Sequence, residues 1–170
     1  EENGYNITSD VLCAANYGAP QKRMRFVVMG IKRNISTKVA LPRGRFDEDE
    51  YRTVRDAIGD LAEVDTVTDL SADNGTPLEK VELCELAKSL RDSEVLYNHI
   101  ITKTTDTAME RFRALKQGQN FHSLDDSMKT NTYTDASRTQ NTIYLRLNYD
   151  EPSGTVVNVR KSMWIHPEKD

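Results

Sequence analysis

The sequence VLCAANYGAPQKRMRFVVMG occupies residues 11–30 and predicts two strands joined by a tight turn. Residues Asn6–Ala14 are typical of the first strand, and Arg25–Ile31 is typical of a second, well-buried strand. A turn is expected at Tyr17–Pro20, because its glycine permits unusual backbone angles and its proline lacks the N–H that a strand would pair. The rest of the fold is expected to build outward from this unit.

The remaining chain alternates between short amphipathic segments and polar connections. Helices are predicted at Thr53–Leu61, at Pro77–Leu90 with Thr76 as its cap, and at Asp106–Gln117 with Asp106 as its cap and Gly118 at its end. Further strands are predicted at Ile143–Tyr149, which alternates and should bury one face, and at Thr155–Val159, while Gln119–Asn141 is expected to be a loop. The pattern predicts an α+β fold: a small mixed, mostly antiparallel sheet with a few short helices and long loops.

Composition limits the kind of protein this can be. Of 170 residues, 37% are hydrophobic and 29% are charged, so one modest core is expected. The sequence has no run of eighteen apolar residues, and its first residues lack the regions of a signal peptide. The two cysteines and three histidines fit neither a disulfide framework nor a metal-ligand spacing. These features predict no membrane-spanning helix and no metal site, and they favour a reducing, cytoplasmic setting.

Charge is distributed unevenly along the chain. The net charge is −4, yet between residues 11 and 45 every charged residue is basic, and from Asp47 to Glu94 the balance is acidic. A basic segment beside an acidic one indicates one face for a polyanion and another for water. The alternative is that both blocks are simply solvated surface.

Three stretches of the sequence together match a known family. Residues 17–25, YGAPQKRMR, fit the pattern Tyr-Gly-x-Pro-Gln-x-Arg-x-Arg that precedes an apolar strand. Residues 53–61 read TVRDAIGDL, and residues 146–156 read RLNYDEPSGTV, followed by IHPE at 165–168. In this order they resemble DNA (cytosine-5) methyltransferases, from motif VIII through the variable target recognition domain toward motif IX.

The resemblance implies how the chain is divided. Residues 1–45 would be the end of the catalytic domain with motif VIII, and residues 46–170 a target recognition domain truncated before motif IX. The family's cofactor-binding glycine motif and Pro-Cys nucleophile lie upstream of motif VIII, and neither cysteine here follows a proline. We therefore expect a piece of a larger bacterial restriction-modification enzyme that is inactive alone. S-adenosylmethionine would bind the full-length parent and not this piece.

The resemblance assigns catalytic roles to two arginines. Arg25 would contact O2 of the flipped cytosine, where a guanidinium stabilises the charge that develops on the ring, and Arg23 would brace the pocket. Residues two apart on a strand face the same side, as one shared pocket requires. Gln21 would position the turn, and Lys22 would face the opposite side, toward solvent or phosphate. The alternative is that both arginines pair with carboxylates on a sheet face.

A second set of residues is expected to touch DNA. The family places Thr and an aliphatic residue before its recognition loop, and Thr155 and Val156 match this placement. Side chains of the kind found in groove and phosphate contacts follow at Asn158, Arg160 and Lys161. Alternatively, Arg160 and Lys161 form a solvated hairpin tip.

The expected partners are double-stranded DNA and the rest of the catalytic domain in the parent chain, with no membrane. Because Arg25–Ile31 would normally belong to a larger sheet, its exposed edge could drive self-association of the excised piece. One competing function is a non-enzymatic DNA-binding module, which would have no use for a pocket arginine pair. Another is a protein-interaction domain that uses the acidic stretch Asp47–Glu94.

Overall fold

A computed structural model describes residues 3–68, 74–78, 82–101, 103–129, 140–156 and 164–170. Within these residues the strands are β1 (Tyr5–Cys13), β2 (Met24–Lys32), β3 (Thr76–Pro77) and β4 (Val95–Leu96), and the helices are α1 (Val54–Ile58), α2 (Glu85–Leu90) and α3 (Asp106–Ala114). The strands form two antiparallel pairs, β1–β2 and β3–β4, and parallel contacts occur as isolated bridges. The predicted α+β class, with small, mostly antiparallel sheets and short helices, is confirmed.

The predicted strand-turn-strand unit is confirmed, with strand ends shifted by one residue. β1 and β2 pair from Tyr5 with Lys32 to Cys13 with Met24. A 3-10 turn follows β1 and ends at Gly18, whose φ of 89° favours glycine. A β-carbon there would also lie 3.0 Å from the Phe46 ring, so this position is both strained and crowded for any other residue.

The prediction that Arg25–Ile31 is well buried is wrong. Directly opposed residues of an antiparallel pair share a face, and one face of β1–β2 carries large side chains that are all exposed. Phe26 is 68% exposed and Val28 is 53% exposed, because no element among the described residues packs against them. We call this surface the apolar face; its large members are Tyr5, Ile7, Val11, Met24, Phe26 and Val28.

The hydrophobic core lies around α3. The Phe112 and Tyr144 rings meet edge to face at 5.2 Å between centroids, and Phe121, in the predicted loop, is fully buried beside them. The other buried members are Ala108, Leu115, Leu124 and Ile165. α3 ends at Ala114 rather than Gln117, and its cap is Thr105, whose hydroxyl accepts from the Ala108 N–H, rather than Asp106.

Two predicted elements are wrong because contacts between distant residues override local pattern. In place of a helix from Pro77, β3 pairs with β4, and α2 begins only at Glu85. In place of a strand at Ile143–Tyr149, the chain turns at Tyr144, whose φ is 54°, and makes one bridge from Arg146 to Ile165. The buried side chains there are Tyr144, Arg146 and Tyr149, which do not share one face of the expected alternation.

The remaining predictions concern α1 and the two polar segments. The predicted helix Thr53–Leu61 is found as α1 followed by a 3-10 turn at Gly59–Leu61, and the Thr53 hydroxyl and the Asp56 carboxylate cap it reciprocally. The Gln119–Asn141 loop contains 3-10 turns at Phe121–Ser123 and Asp126–Met128, and residues 130–139 lie outside the described residues. Of the predicted strand Thr155–Val159, the structure describes Thr155 and Val156, which it does not assign to a strand.

Candidate nucleic-acid interface

The turn after β1 is bonded to a segment more than 130 residues away. Ser153 donates from its N–H and its Oγ to the Pro20 carbonyl at 3.0 and 3.2 Å, and its own carbonyl accepts from the Lys22 N–H at 2.8 Å. Gln21 lies between these bonds and forms a parallel bridge with Ser153. The motif turn (residues 17–23) therefore lies beside the segment that leads to Thr155.

We call residues 149–154 the strap, because they are held from two sides. Besides its bonds to the motif turn, the strap is bonded to α1: the Glu151 and Tyr149 carbonyls accept from the N–H groups of Val54 and Arg55 at 2.9 Å each. The first amides of a helix lack partners within it, so α1 offers these donors naturally. The strap thus connects the motif turn, α1 and the start of the predicted recognition segment.

The two arginines predicted for the pocket lie at the start of β2. Arg25 is opposite Leu12, and its exposed guanidinium donates to the Met24 carbonyl at 2.6 Å. The Arg23 carbonyl accepts from the Ala14 N–H at 2.9 Å, so pairing continues one residue beyond β2. The ion pairs found among the described residues include neither arginine, which argues against the alternative that both pair with carboxylates.

The Lys22 side chain lies close to Glu48 and Tyr51. Its Nζ lies 3.9 Å from the Glu48 carboxylate and 5.7 Å from the centre of the Tyr51 ring, and its side chain is about half exposed. Its ammonium therefore already has a carboxylate and a ring as neighbours.

Thr155 and Val156 follow directly on the strap. Thr155 is half-buried and Val156 is 47% exposed. Gly154 lies under the Trp164 ring: a β-carbon there would come within 3.6 Å of Cη2. Asn158, Arg160 and Lys161 lie outside the described residues.

A cleft of about 310 Å³ opens beside the motif turn, between the end of β1 and residues 42–47. This loop is tied down where the Asn16 amide donates to the Phe46 carbonyl and the Tyr17 hydroxyl donates to the Pro42 carbonyl, both at 2.8 Å. Burial, together with the neighbouring Cys13 thiol, raises the pKa of Tyr51. The two hydrogen bonds fix residues 42–46 beside the motif turn, so this loop forms one wall of the cleft.

Sequence reasoning missed a buried arginine that fixes the chain end. The Arg146 guanidinium donates to the carbonyls of Phe112 at 2.7 Å, His166 at 2.9 Å and Lys169 at 3.1 Å, and it pairs with the Asp170 carboxylate. Its position in an alternating apolar run gave the misleading signal of an exposed strand face. Arg146 instead holds residues 165–170 against α3.

His166 belongs to the same segment, residues 165–170, and its ring contacts the backbone of that segment and the Tyr149 side chain. Its Nδ1 accepts from the N–H groups of Glu168 and Lys169 at 3.2 Å each, and its Nε2 lies 3.4 Å from the Tyr149 hydroxyl. Burial lowers the pKa of His166, with Lys169 and Arg146 acting in the same direction, and burial raises the pKa of Tyr149. These contacts suit a neutral, structural histidine.

The described residues contain neither a metal-binding cluster nor a helix that could span a membrane. No cluster of three or more His, Cys, Asp or Glu side chains there is arranged to hold a metal ion. No helix in the same part of the chain has the length and apolar character needed to cross a membrane.

Comparison with known proteins gives one consistent result. The family model for C-5 cytosine-specific DNA methylase matches residues 1–166. The Type II methyltransferase M.DdeI of Desulfomicrobium norvegicum is 26% identical over 96% of this chain and 40% of its own length. The Type II methyltransferase M.MthTI of Methanothermobacter thermautotrophicus is 37% identical over 45% of this chain and 22% of its own length. The chain thus spans well under half of these curated relatives.

A solved structure shares the fold. A crystal structure titled as a candidate DNA modification methyltransferase encoded within an E. coli prophage superposes with a TM-score of 0.61, at 18% identity. The match covers 98% of this chain and 46% of that one.

Proposed function

Because the chain belongs to the C-5 cytosine-specific DNA methylase family, we propose that it forms the part of a DNA (cytosine-5) methyltransferase that recognises a duplex sequence and holds the flipped cytosine. One observation carries this proposal: the motif turn that leads to Arg23 and Arg25 is bonded through Ser153 to the segment that begins at Thr155. The arginine pair that would contact the flipped cytosine and the segment that would contact the neighbouring base pairs then lie on adjacent pieces of chain. A base cannot react while stacked, so an enzyme of this class needs both.

The chemistry explains why a guanidinium suits this turn. In the family reaction a thiolate adds to carbon 6 of cytosine, and negative charge moves onto N3 and O2. Arg25 supplies a permanent, planar cation that can donate to O2, and Arg23 braces the pocket from the neighbouring position. The exposed guanidinium of Arg25, whose hydrogen bond within the described residues goes to the adjacent Met24 carbonyl, is available for such a contact.

S-adenosylmethionine supplies the methyl group in this family, but the residues of this chain do not fit it. The eight glycines lie at least 12 residues apart, so the sequence contains no glycine-rich loop of the kind that approaches a nucleotide cofactor. Neither Cys13 nor Cys84 follows a proline, as the family nucleophile does. We propose that cofactor and nucleophile belong to the longer enzyme and that this chain alone transfers no methyl group.

The proposal assigns residues 1–45 to the catalytic domain and residues 46–170 to target recognition. In the longer enzyme the apolar face packs against the remainder of the catalytic domain, since a row of large exposed apolar side chains marks a contact surface. The Type II methyltransferase names of the relatives support a restriction-modification role with DNA as substrate. We propose that the enzyme acts in the cytoplasm of a bacterium.

Bisulfite sequencing of DNA exposed to the full-length enzyme tests the proposal. We expect one cytosine within one short sequence to be protected. Sequence-specific binding without any protected cytosine would instead support the alternative, a non-enzymatic DNA-binding module.

A further inference from the structure

We propose that Ser153 is a positioning residue that ties the recognition segment to the turn carrying the pocket arginines, so that recognition of the DNA sequence sets the placement of Arg25. The inference rests on the proposed function. It adds a residue that touches neither the base nor the recognised sequence and acts through the backbone of the motif turn.

The contacts of Ser153 leave the motif turn little freedom. Its N–H and Oγ both donate to the Pro20 carbonyl, and its carbonyl accepts from the Lys22 N–H. These three bonds enclose Gln21, two residues before Arg23. Ser153 is only partly exposed, so the hydroxyl contact is partly shielded from competing water.

The strap carries a displacement from one end to the other because α1 holds its far end. The Glu151 carbonyl accepts from the Val54 N–H, and the Arg55 guanidinium bonds the Asp150 carboxylate at 2.9 to 3.0 Å. Between this anchor and Thr155, Ser153 supplies the bonds to the motif turn. When the recognition segment docks correctly on DNA, it therefore keeps the motif turn in one position. When it docks poorly, the displacement is transmitted to the motif turn.

The Oγ bond is the part of this connection that substitution can remove. Loss of one partly buried hydrogen bond corresponds to about a five-fold change. We expect Ser153→Ala in the full-length enzyme to lower kcat by about that factor on the recognised sequence. Because the bond acts only through correct docking, the rate on sequences with one base changed should fall less, which narrows the discrimination between them.

The matched control is Ser89→Ala on α2, whose Oγ donates to the Leu86 carbonyl at 2.7 Å far along the chain from the motif turn. Ser153→Thr keeps the hydroxyl and should restore both rate and discrimination. Combining Ser153→Ala with Arg25→Lys separates positioning from general damage, because two changes that act through one group do not multiply.

The results decide as follows. A lower kcat with unchanged duplex affinity, rescue by threonine and a sub-multiplicative double variant would support the positioning role. The positioning role is rejected, with the proposed function intact, if Ser153→Ala has the rate and discrimination of wild type. It is also rejected if the effects of Ser153→Ala and Arg25→Lys multiply and Ser153→Ala lowers the thermal stability of the enzyme. If the wild-type enzyme methylates no cytosine, the proposed function fails, and this inference fails with it.

Discussion

The guanidinium of Arg146 donates to the main-chain carbonyl of Phe112 at 2.7 Å and also to the carbonyls of His166 and Lys169, so one side chain joins the end of α3 to residues 166–169. Hydrogen bonds offset the cost of burying a guanidinium, and here three carbonyls and the Asp170 carboxylate accept from Nη1 and Nη2 of Arg146, while its Nε has no partner among the described residues. Arg146 therefore helps to hold residues 166–170, including His166, against the end of α3.

Replacing Arg146 by methionine should lower the free energy of unfolding by about 3 kcal/mol, because three carbonyls and a carboxylate lose their partner. The control is Arg113→Met, since Arg113 is exposed and lies 3.7 Å from the same Asp170 carboxylate. We expect the control to cost less than about 1 kcal/mol. Equal losses in urea denaturation would show that burial of Arg146 does not matter.

Changing Arg25 to alanine should leave duplex affinity near wild type and remove most of the methylation rate of the full-length enzyme. The negative charge that develops on the cytosine ring would no longer be stabilised by a guanidinium, while the other contacts to the duplex would remain. Lys32→Ala, at the far end of β2, is the control. A rate for Arg25→Ala close to that of the control would reject the pocket role.

Changing Arg160 or Lys161 to alanine should alter DNA binding in one of two ways. Loss of a phosphate contact weakens binding on all sequences and reduces the slope of log affinity against log salt by about one, whereas loss of a base contact relaxes sequence choice. Titrations at several salt concentrations on recognised and altered duplexes distinguish them. Unchanged affinity, slope and specificity in both variants would move the recognition loop elsewhere.

Stability should decrease as pH falls through the range in which His166 titrates. Its pKa is lowered in the folded chain from 6.5, so the unfolded chain binds the proton more readily. The contribution of His166 is therefore complete above pH 6.5 and is lost below it. Urea denaturation at neutral and mildly acidic pH should show a smaller pH dependence for His166→Asn than for wild type. Parallel curves would contradict the assignment.

The isolated chain should self-associate through the apolar face. Phe26→Lys places a charge within this face and should shift sedimentation toward the monomer, whereas Leu90→Lys, at an exposed residue of α2, should not. A wild-type chain that stays monomeric at high concentration would show that exposure of this face has no such effect.

Sequence reasoning succeeded where the structure depends on neighbours in the chain. The β1–β2 unit, its turn at Gly18 and the capped start of α1 follow from local pattern and backbone chemistry. It failed at Pro77–Leu90 and Ile143–Tyr149, where pairing with residues 94–96 and 165 replaced the local preference.

The candidate site divides in the same way. The arginines and Thr155 could be named because each belongs to a stretch of consecutive residues that matches a family motif, and their roles remain predictions. Ser153 could not be named, since its importance comes from carbonyl and amide contacts with a turn that no local pattern connects to it.

The bond between Ser153 and Pro20 spans 133 positions of the chain. Because Pro20 is synthesised long before Ser153, the bond between them forms only after residue 153 has been added to the chain. Closing so long a loop is entropically costly and slow compared with forming β1–β2. Nascent chains that end before residue 153 therefore lack the bonds between the motif turn and the strap.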